Sequence, residues 1–331
     1  MKLNSQRLVA GVLAGDMSAL AQSITLIEST APSHRLSARQ LLEGLAGHGH
    51  QKARRIAISG APGAGKSSVI EVLGNQLCDS NLRVAVLAVD PSSSRSGGSI
   101  LGDKTRMETL SLRSECFIRP SPTGGALGGV TRRAREAVMI CEAAGFDVIL
   151  IETVGVGQSE IAVRSLVDCF VLLLIAGAGD DLQGIKKGIV EIADIVLVNK
   201  ADGNNKVAAE TTRLQFAGVM HILSSYSEGW LPPVLAVSAH DGKGIAETWQ
   251  AVEKYFEHLG ATGQLESRRR ENNLNWYRCH VAEELYTRFR QDPRIAAEIE
   301  QIERAVLDGS LEPTLATDAL VEMLSPASVG R

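Results

Sequence analysis

One segment of the chain has the residue types and the spacing of a loop that binds phosphate groups. It fits the pattern G-x-x-x-x-G-K-[ST] and consists of Gly60, Ala61, Pro62, Gly63, Ala64, Gly65, Lys66 and Ser67, with Ser68 next. Glycines let backbone N–H groups turn towards phosphate oxygens, and the start of the following helix adds partial positive charge. The pattern predicts that Lys66 neutralises phosphate charge, as a catalytic residue, and that the Ser67 hydroxyl binds Mg²⁺.

A second segment has the chemistry to select guanine. Asn199, Lys200 and Asp202 form an N-K-x-D pattern directly after an apolar run. An ionised carboxylate only accepts hydrogen bonds, and guanine presents two neighbouring donors, N1–H and the N2 amine, whereas adenine does not. Further along, Ser238 and Ala239 follow another apolar run, and we expect this pair to supply a backbone N–H to guanine O6. All five residues are therefore predicted to bind the nucleotide.

Three acidic residues are candidates for a magnesium site together with Ser67. Asp90 ends an apolar run, Asp103 follows a loop rich in serine and glycine, and Glu152 ends another apolar run. Carboxylates at the carboxyl ends of parallel strands face the crevice in which nucleotides bind. Glu152 can reach Mg²⁺ or its water shell with its longer side chain, and we predict that it also takes part in catalysis.

The segment after Glu152 departs from the usual D-x-x-G pattern of GTPases. Glu152 occupies the place of the aspartate, Gly155 that of the glycine, and Val156 stands where a glutamine commonly orients the attacking water. Gln158 is the candidate substitute and is predicted to be catalytic. Slow hydrolysis that needs a partner protein is the expected consequence.

Short apolar runs alternate with segments of helical length between residues 54 and 260, which predicts an α/β fold. Most runs are apolar at consecutive positions, as expected for parallel strands covered by helices on both faces. The predicted strands are Ile56–Ser59, Val84–Val89, Val148–Ile151, Phe170–Ile175, Ile195–Val198 and Val234–Val237. The predicted helices between them include Lys66–Leu77, Arg132–Ala144, Gln183–Ile192 and Ile245–His258.

Helical extensions are expected on both sides of this core, which gives three parts: 1–50, 51–260 and 261–331. In the first, Asp16 is a candidate N-cap, and Ser37 with Gln40 is a possible capping box that starts a helix. In the last, apolar residues recur at helical spacing on one long helix: Leu274, Tyr277, Val281, Leu285 and Phe289. This helix either packs on its own domain or docks on a second subunit.

Composition excludes several classes of protein. The 331 residues are 44% hydrophobic with a net charge of −4, which argues against disorder and against nucleic acid as the main partner. Five cysteines without C-x-x-C spacing predict neither disulfides nor a zinc site. The longest apolar run, Cys169–Gly179, is shorter than the ~20 residues that span a membrane. The apolar stretch 8–14 is short and interrupted for an export signal, so we expect a cytoplasmic protein without membrane contact.

Taken together, these residues resemble the MeaB/ArgK family, the bacterial relatives of the methylmalonic aciduria type A protein. The resemblance covers essentially the whole chain. Its most specific stretches are 89–94, 97–107, 152–160 and 176–187, and Glu152 is normal for this family although unusual among GTPases in general.

The resemblance implies a Mg²⁺-dependent GTPase that converts GTP to GDP. It also implies that the protein assembles with adenosylcobalamin-dependent methylmalonyl-CoA mutase, protects it and gates the loading of its cofactor. A homodimer held by the C-terminal helical arm is implied as well. Magnesium is expected near Ser67, Asp90, Asp103 and Glu152, and mobile segments are expected at 90–103, 152–160 and 180–187.

Three alternatives remain open at the level of sequence. A nucleotide-dependent kinase linked to lysine, arginine and ornithine transport would need an acceptor pocket. A metal-delivery GTPase would carry a Cys/His cluster, and only His48 and His50 approach one. A nucleotide-gated scaffold would bind GTP with negligible turnover.

Overall fold

A computed structural model describes residues 4–48, 52–89, 107–120, 127–153, 163–175, 187–224 and 229–323. Contacts between residues divide the chain into two units, Met1–Asn272 and Asn273–Arg331.

Seven parallel strands form one sheet in the first unit. The strands are β1 (Arg54–Gly60), β2 (Val84–Val89), β3 (Cys116–Arg119), β4 (Val148–Thr153), β5 (Cys169–Ile175), β6 (Ile195–Asn199) and β7 (Val234–Ala236). Their order across the sheet is β3-β2-β4-β1-β5-β6-β7, and every pairing is parallel. The predicted α/β class is therefore confirmed, with β1 at the centre of the sheet.

Eleven α-helices lie in the described part of the chain. They are α1 (Ser5–Leu13), α2 (Met17–Glu28), α3 (Pro32–Leu45), α4 (Lys66–Asp79), α5 (Leu127–Ala143), α6 (Lys187–Glu191), α7 (Lys206–Ser224), α8 (Ile245–Ala261), α9 (Gln264–Gln291), α10 (Pro293–Leu307) and α11 (Pro313–Glu322). Short 3₁₀ turns occur at Leu110–Leu112 and Gly203–Asn205.

Both faces of the sheet are buried, because successive side chains of a strand point to opposite faces. On β1, Ile56 and Ile58 belong to a core with α4 and α8, whereas Ala57 belongs to a core with α5 and α7. The N-terminal helices thicken the second layer, since buried residues of α1, α2 and α3 join the same core as α5. Consecutive apolar residues in the strands follow from this double burial.

The first helices show one correct and one wrong prediction about helix starts. Asp16 caps α2, and its side chain accepts hydrogen bonds from Ser18 N at 2.7 Å and Ala19 N at 3.3 Å. Ser37 does not start a helix: α3 begins at Pro32, and Ser37 lies inside it. Proline suits the first helical position because its φ is already helical and no N–H is lost there.

Buried ion pairs connect the amino-terminal ends of β5 and β6 to α9. Asp168, just before β5, accepts hydrogen bonds from Arg269 Nε at 2.8 Å and Nη2 at 2.6 Å, and from Arg55 N at 3.1 Å. Asp194, just before β6, accepts from Phe170 N at 2.7 Å and from Tyr255 Oη of α8 at 2.6 Å, and its Oδ1 lies 3.7 Å from Arg268 Nη1 of α9. These carboxylates fasten the start of α9 to the sheet at the edge away from the phosphate loop.

Candidate nucleotide site

The phosphate loop joins β1 to α4, and two of its glycines are required by its geometry. Gly60 has φ +154°, and a Cβ there would lie 2.2 Å from the carbonyl oxygen of Leu173 on β5. Gly65 has φ +89°, and a Cβ there would lie 2.5 Å from Asn199 Nδ2. These positions exclude side chains, so the backbone of the loop can approach a phosphate group closely.

Lys66 is the first residue of α4, and its ammonium group lies inside the loop. Its side chain is buried, and Nζ donates to the carbonyl oxygens of Gly60 at 2.8 Å and Ala61 at 3.1 Å. A buried ammonium at the positive end of a helix dipole makes this loop a strong anion site. The role of Lys66 in neutralising phosphate charge stays a prediction.

Ser67 and Glu152 come together beside the phosphate loop. The Ser67 hydroxyl donates to Glu152 Oε1 at 2.7 Å. The contact arises because β1 and β4 are neighbours, with Ile58 paired to Glu152, and because α4 starts directly after the loop. A hydroxyl and a carboxylate are the hard oxygen ligands that Mg²⁺ uses in nucleotide sites. This donor set therefore fits magnesium.

Three further candidates fall outside the described residues: Asp90, Asp103 and Gln158. Within the described ranges, no group of three or more His, Cys, Asp or Glu side chains could hold a metal ion. Mg²⁺ in such sites is held by one or two protein ligands together with waters and phosphates. The pair of Ser67 and Glu152 is sufficient for that type of coordination.

A buried hydroxyl pair lies next to these residues. Thr153 Oγ1 donates to Ser59 Oγ at 2.8 Å, and both residues are fully buried. Ser59 precedes Gly60 and Thr153 follows Glu152, so the bond ties together the ends of two neighbouring strands. Sequence reasoning missed this pair, because the two residues are far apart in the chain.

Asn199 connects the phosphate loop to the two base-reading loops. Its Nδ2 donates to the carbonyl oxygen of Ala64 at 2.8 Å, and its Oδ1 accepts from Ala239 N at 3.3 Å. Asn199 is only 2% exposed, so this side chain acts as a brace between loops. Lys200, which follows it, is exposed and adopts a left-handed backbone conformation with φ +62°.

Asp202 and Ser238 meet at the same edge of the sheet. Ser238 Oγ donates to Asp202 Oδ2 at 2.7 Å and accepts from Asp241 N at 3.0 Å. The backbone N–H of Ser238 is engaged with the carbonyl oxygen of Lys243 at 2.9 Å. The N–H of Ala239 has the longer of the two bonds, 3.3 Å to Asn199 Oδ1, so of the predicted pair it is the one more readily released to guanine O6.

His240 and Asp241 add an ion pair that the sequence motifs did not include. His240 Nδ1 lies 2.9 Å from Asp241 Oδ1. This hydrogen bond, together with the negative charges of Asp241 and Asp202, raises the pKa of His240. The bond with His240 lowers the pKa of Asp241. The signal was available in the sequence, since both residues directly follow Ala239.

Comparisons with known proteins agree with this geometry. The family model described as "Methylmalonyl Co-A mutase-associated GTPase MeaB" matches residues 20–294. "Probable GTPase Rv1496" of Mycobacterium tuberculosis is 49% identical over 96% of this chain and 94% of its own length. "GTPase ArgK" of Escherichia coli is 43% identical over 94% of this chain and 93% of its own length.

Two further comparisons extend the range of relatives. "Methylmalonic aciduria type A homolog, mitochondrial" of Mus musculus is 44% identical over 96% of this chain and 78% of its own length. A solved structure, "Crystal structure of LAO/AO transport system kinase", superposes with a TM-score of 0.78 and 35% identity, covering 98% of both chains. No helix in the described ranges is long and apolar enough to cross a membrane.

Proposed function

The chain belongs to the methylmalonyl-CoA mutase-associated GTPase family MeaB, and on this basis we propose that it is a Mg²⁺-dependent GTPase that chaperones a cobalamin-dependent mutase. GTP hydrolysis itself follows from the family and from relatives named as GTPases. The mutase as partner, magnesium as cofactor and a cytoplasmic location are parts of the proposal. The observation that carries the partner is the family match over residues 20–294.

The proposed chemistry is positioning and charge neutralisation, with water as the nucleophile. Phosphoryl transfer requires that the charge on the transferred group be stabilised by fixed cations and dipoles. Lys66 and the loop N–H groups would hold the β- and γ-phosphates, while Ser67 and Glu152 would hold Mg²⁺. The bound ion would supply neutralisation of the negative charge that develops on the phosphate oxygens. Asn199 would keep the base and phosphate loops at a constant separation.

The proposed mutase dependence is supported by the segment after Glu152. Val156 stands where a glutamine commonly orients water, and Gln158 is the proposed substitute. A site without a fixed water-orienting group is expected to be slow. Each tenfold acceleration needs only about 1.4 kcal/mol of transition-state stabilisation, so one contact ordered by a partner would be sufficient for a measurable effect.

The test is a GTPase assay with increasing amounts of purified adenosylcobalamin-dependent methylmalonyl-CoA mutase. We expect stimulation of about tenfold to a hundredfold. A binding titration in GDP and in a non-hydrolysable GTP analogue should give different mutase affinities, because linkage between two ligands is reciprocal. If the mutase does not stimulate hydrolysis and binds with equal affinity in both nucleotide states, the chaperone role is refuted. The GTPase assignment would remain intact.

One observation favours a second candidate function. The solved relative with 98% coverage is named as a transport system kinase. A kinase would transfer the γ-phosphate to an acceptor other than water. Mass spectrometry of the assay products, with lysine, arginine and ornithine supplied as acceptors, would detect a phosphorylated product if this function applied.

The proposal includes a homodimer formed through α9. Four apolar side chains at helical spacing are exposed in the second unit: Leu274, Tyr277, Val281 and Leu285. We expect Tyr277→Glu with Leu285→Glu to give monomers in sedimentation, with GDP binding unchanged. Point variants are preferable to truncation after Gly260, which would also remove Arg268 and Arg269 from the first unit. Persistent dimers would place the interface elsewhere.

A further inference from the structure

A cleft of about 260 Å³ lies at the amino-terminal edge of the sheet, opposite the nucleotide loops. Its walls come from the end of α6, the end of α7, the segment before β7 and the start of α9. Two arginines line it, Arg164 and Arg268, and so do apolar side chains that include Met220 and Leu223. We call it the Arg268 cleft. All of its lining residues belong to the first unit.

Arg268 and its neighbour Arg269 are engaged to different extents. Arg269 donates from Nε and Nη2 to Asp168 and from Nη2 to the carbonyl oxygen of Ala53, also at 2.6 Å. Arg268 donates from Nη1 to Tyr255 Oη, and Nη1 lies 3.7 Å from Asp194 Oδ1. Among the described residues, no acceptor is within hydrogen-bond distance of Nε or Nη2 of Arg268. The Arg268 side chain is 32% exposed.

The described lining holds two arginines and two carboxylates, and Arg268 is the arginine that keeps Nε and Nη2 unbonded although its Nη1 lies near Asp194. The Asp194 carboxylate is already used by Phe170 N, Tyr255 and Arg164, with Arg164 Nη1 at 3.1 Å. Burial raises the pKa of Asp194, in spite of the opposing charge of Arg164. Among the lining residues that the structure describes, Glu191 is the other acidic one, and it is exposed to solvent, where its charge is screened.

The shape and polarity of the walls indicate what kind of molecule fits. Trp230 lines the cleft with its indole Nε1 bonded to the carbonyl oxygen of Asp194 at 2.9 Å. Met220, Leu223 and Pro232 add apolar surface. An arginine fork with accessible N–H groups binds a carboxylate in two parallel hydrogen bonds, and apolar walls bind a compact hydrocarbon body.

We infer that the Arg268 cleft binds a small organic carboxylate, with its charged group on Arg268 and its apolar body against Trp230 and Leu223. The inference is independent of the proposed mutase partner, since it rests on the opposite edge of the sheet. The ligand needs both a negative charge and a compact apolar body.

Benzoate is a suitable probe, and benzamide is its neutral isostere. Saturation-transfer NMR on the full-length protein, loaded with GDP so that the phosphate loop is occupied, measures binding of each. We expect saturable binding of benzoate and binding of benzamide that is weaker by about tenfold. Equal affinity for the two compounds would overturn the inference, because charge recognition would then be absent.

Three single substitutions locate the probe. Arg268→Gln should lower the affinity for benzoate by about tenfold. Glu191→Gln should raise this affinity by about twofold, because a repulsive charge is removed. Arg270→Gln is the matched control, since Arg270 is an exposed arginine two positions further on the same helix, and it should bind as the wild type does. Benzoate affinity that is unchanged in Arg268→Gln would also overturn the inference.

A fourth variant covers the case in which loss of the bond to Tyr255 impairs folding. Leu223→Trp fills the cleft and keeps both arginines, and Leu223 is only partly buried. Circular dichroism and GDP affinity establish that this variant is folded. We expect benzoate binding to be lost in folded Leu223→Trp, whereas retained binding would place the probe at another site and refute the inference.

Discussion

The two edges of the sheet use charged residues in different ways. At the carboxyl edge, Lys66 is bonded to backbone carbonyl groups, and Glu152 and Asp202 each accept from a serine hydroxyl at 2.7 Å. At the amino edge, Asp168 accepts two bonds from one guanidinium, and Asp194 is surrounded by donors.

This difference indicates that the charged residues at the carboxyl edge serve ligand binding, whereas those at the amino edge serve stability. A serine hydroxyl bonded to a carboxylate can be exchanged for a ligand at modest cost, because a hydrogen bond to a charged group contributes about 1.5–3 kcal/mol net and the ligand forms a bond of the same kind in its place. A buried carboxylate that loses its arginine keeps an uncompensated charge, which costs about 3–5 kcal/mol. We therefore expect substitutions at the amino edge to affect folding, and those at the carboxyl edge to affect nucleotide binding and turnover.

The largest expected effect on stability is that of Arg269→Ala. It leaves Asp168, whose side chain is 3% exposed, without its guanidinium partner. We expect the free energy of unfolding to fall by about 3–5 kcal/mol in urea denaturation followed by circular dichroism. The GDP affinity of the folded fraction should stay unchanged. Arg270→Ala, at the exposed neighbouring position, is the control, and a loss below about 1 kcal/mol in Arg269→Ala would contradict the comparison.

Lys66→Ala should have the opposite profile. Removal of the ammonium group that faces the phosphates should lower the rate of GTP hydrolysis by about a hundredfold to a thousandfold. The free energy of unfolding should change little, because the desolvation cost of the buried ammonium group is removed together with its bonds to the Gly60 and Ala61 carbonyl groups. The assay is phosphate release under saturating GTP, with the exposed Lys254→Ala as control. Near-normal turnover would remove Lys66 from catalysis.

Asp202→Asn tests how guanine is selected. The amide can donate where guanine also donates, so GDP should bind more weakly by about 2–3 kcal/mol. Xanthosine diphosphate, which has a carbonyl at position 2, should gain relative affinity. Calorimetric titration with both nucleotides measures the switch. Unchanged preference for GDP would mean that another group reads the base.

The parts of the site that could be predicted from sequence are those set by local backbone geometry. A strand, a glycine-rich turn and a helix are contiguous in the chain, so the positions of Gly60, Gly65 and Lys66 follow from spacing. The same holds for Asn199 and Asp202 at the end of β6. Only the contacts between these segments, such as Asn199 with Ala64, required the structure.

The features that sequence reasoning missed depend on distant pairs or on weak patterns. Arg269 and Asp168 are 101 positions apart, and no local periodicity relates them. β3 is a four-residue edge strand that ends in a charged residue, and all of its residues are only partly buried, so it lacks the apolar run of the central strands. Helix α7 was not among the predicted helices, since its exposed face carries Val207, Leu214 and Ile222, which weakens its amphipathic pattern.

Ser238→Ala has the smallest expected effect, and it tests whether Ser238 acts through Asp202 or through the loop at Asp241. Ser238 Oγ links Asp202 to Asp241 N, so its loss frees the carboxylate and loosens the loop that presents Ala239. We expect GDP to bind about fivefold more weakly, which corresponds to about 1 kcal/mol for the loss of one hydrogen bond that orients Asp202. If the hydroxyl acts by orienting Asp202, Ser238→Ala should have almost no further effect in an Asp202→Ala background, because the group that it orients is gone. Fluorescence titration with a labelled GDP measures all four corners of this cycle. An equal loss in both backgrounds would show instead that Ser238 acts through the loop at Asp241, and the carboxyl edge would then share the structural role that we assign to the amino edge.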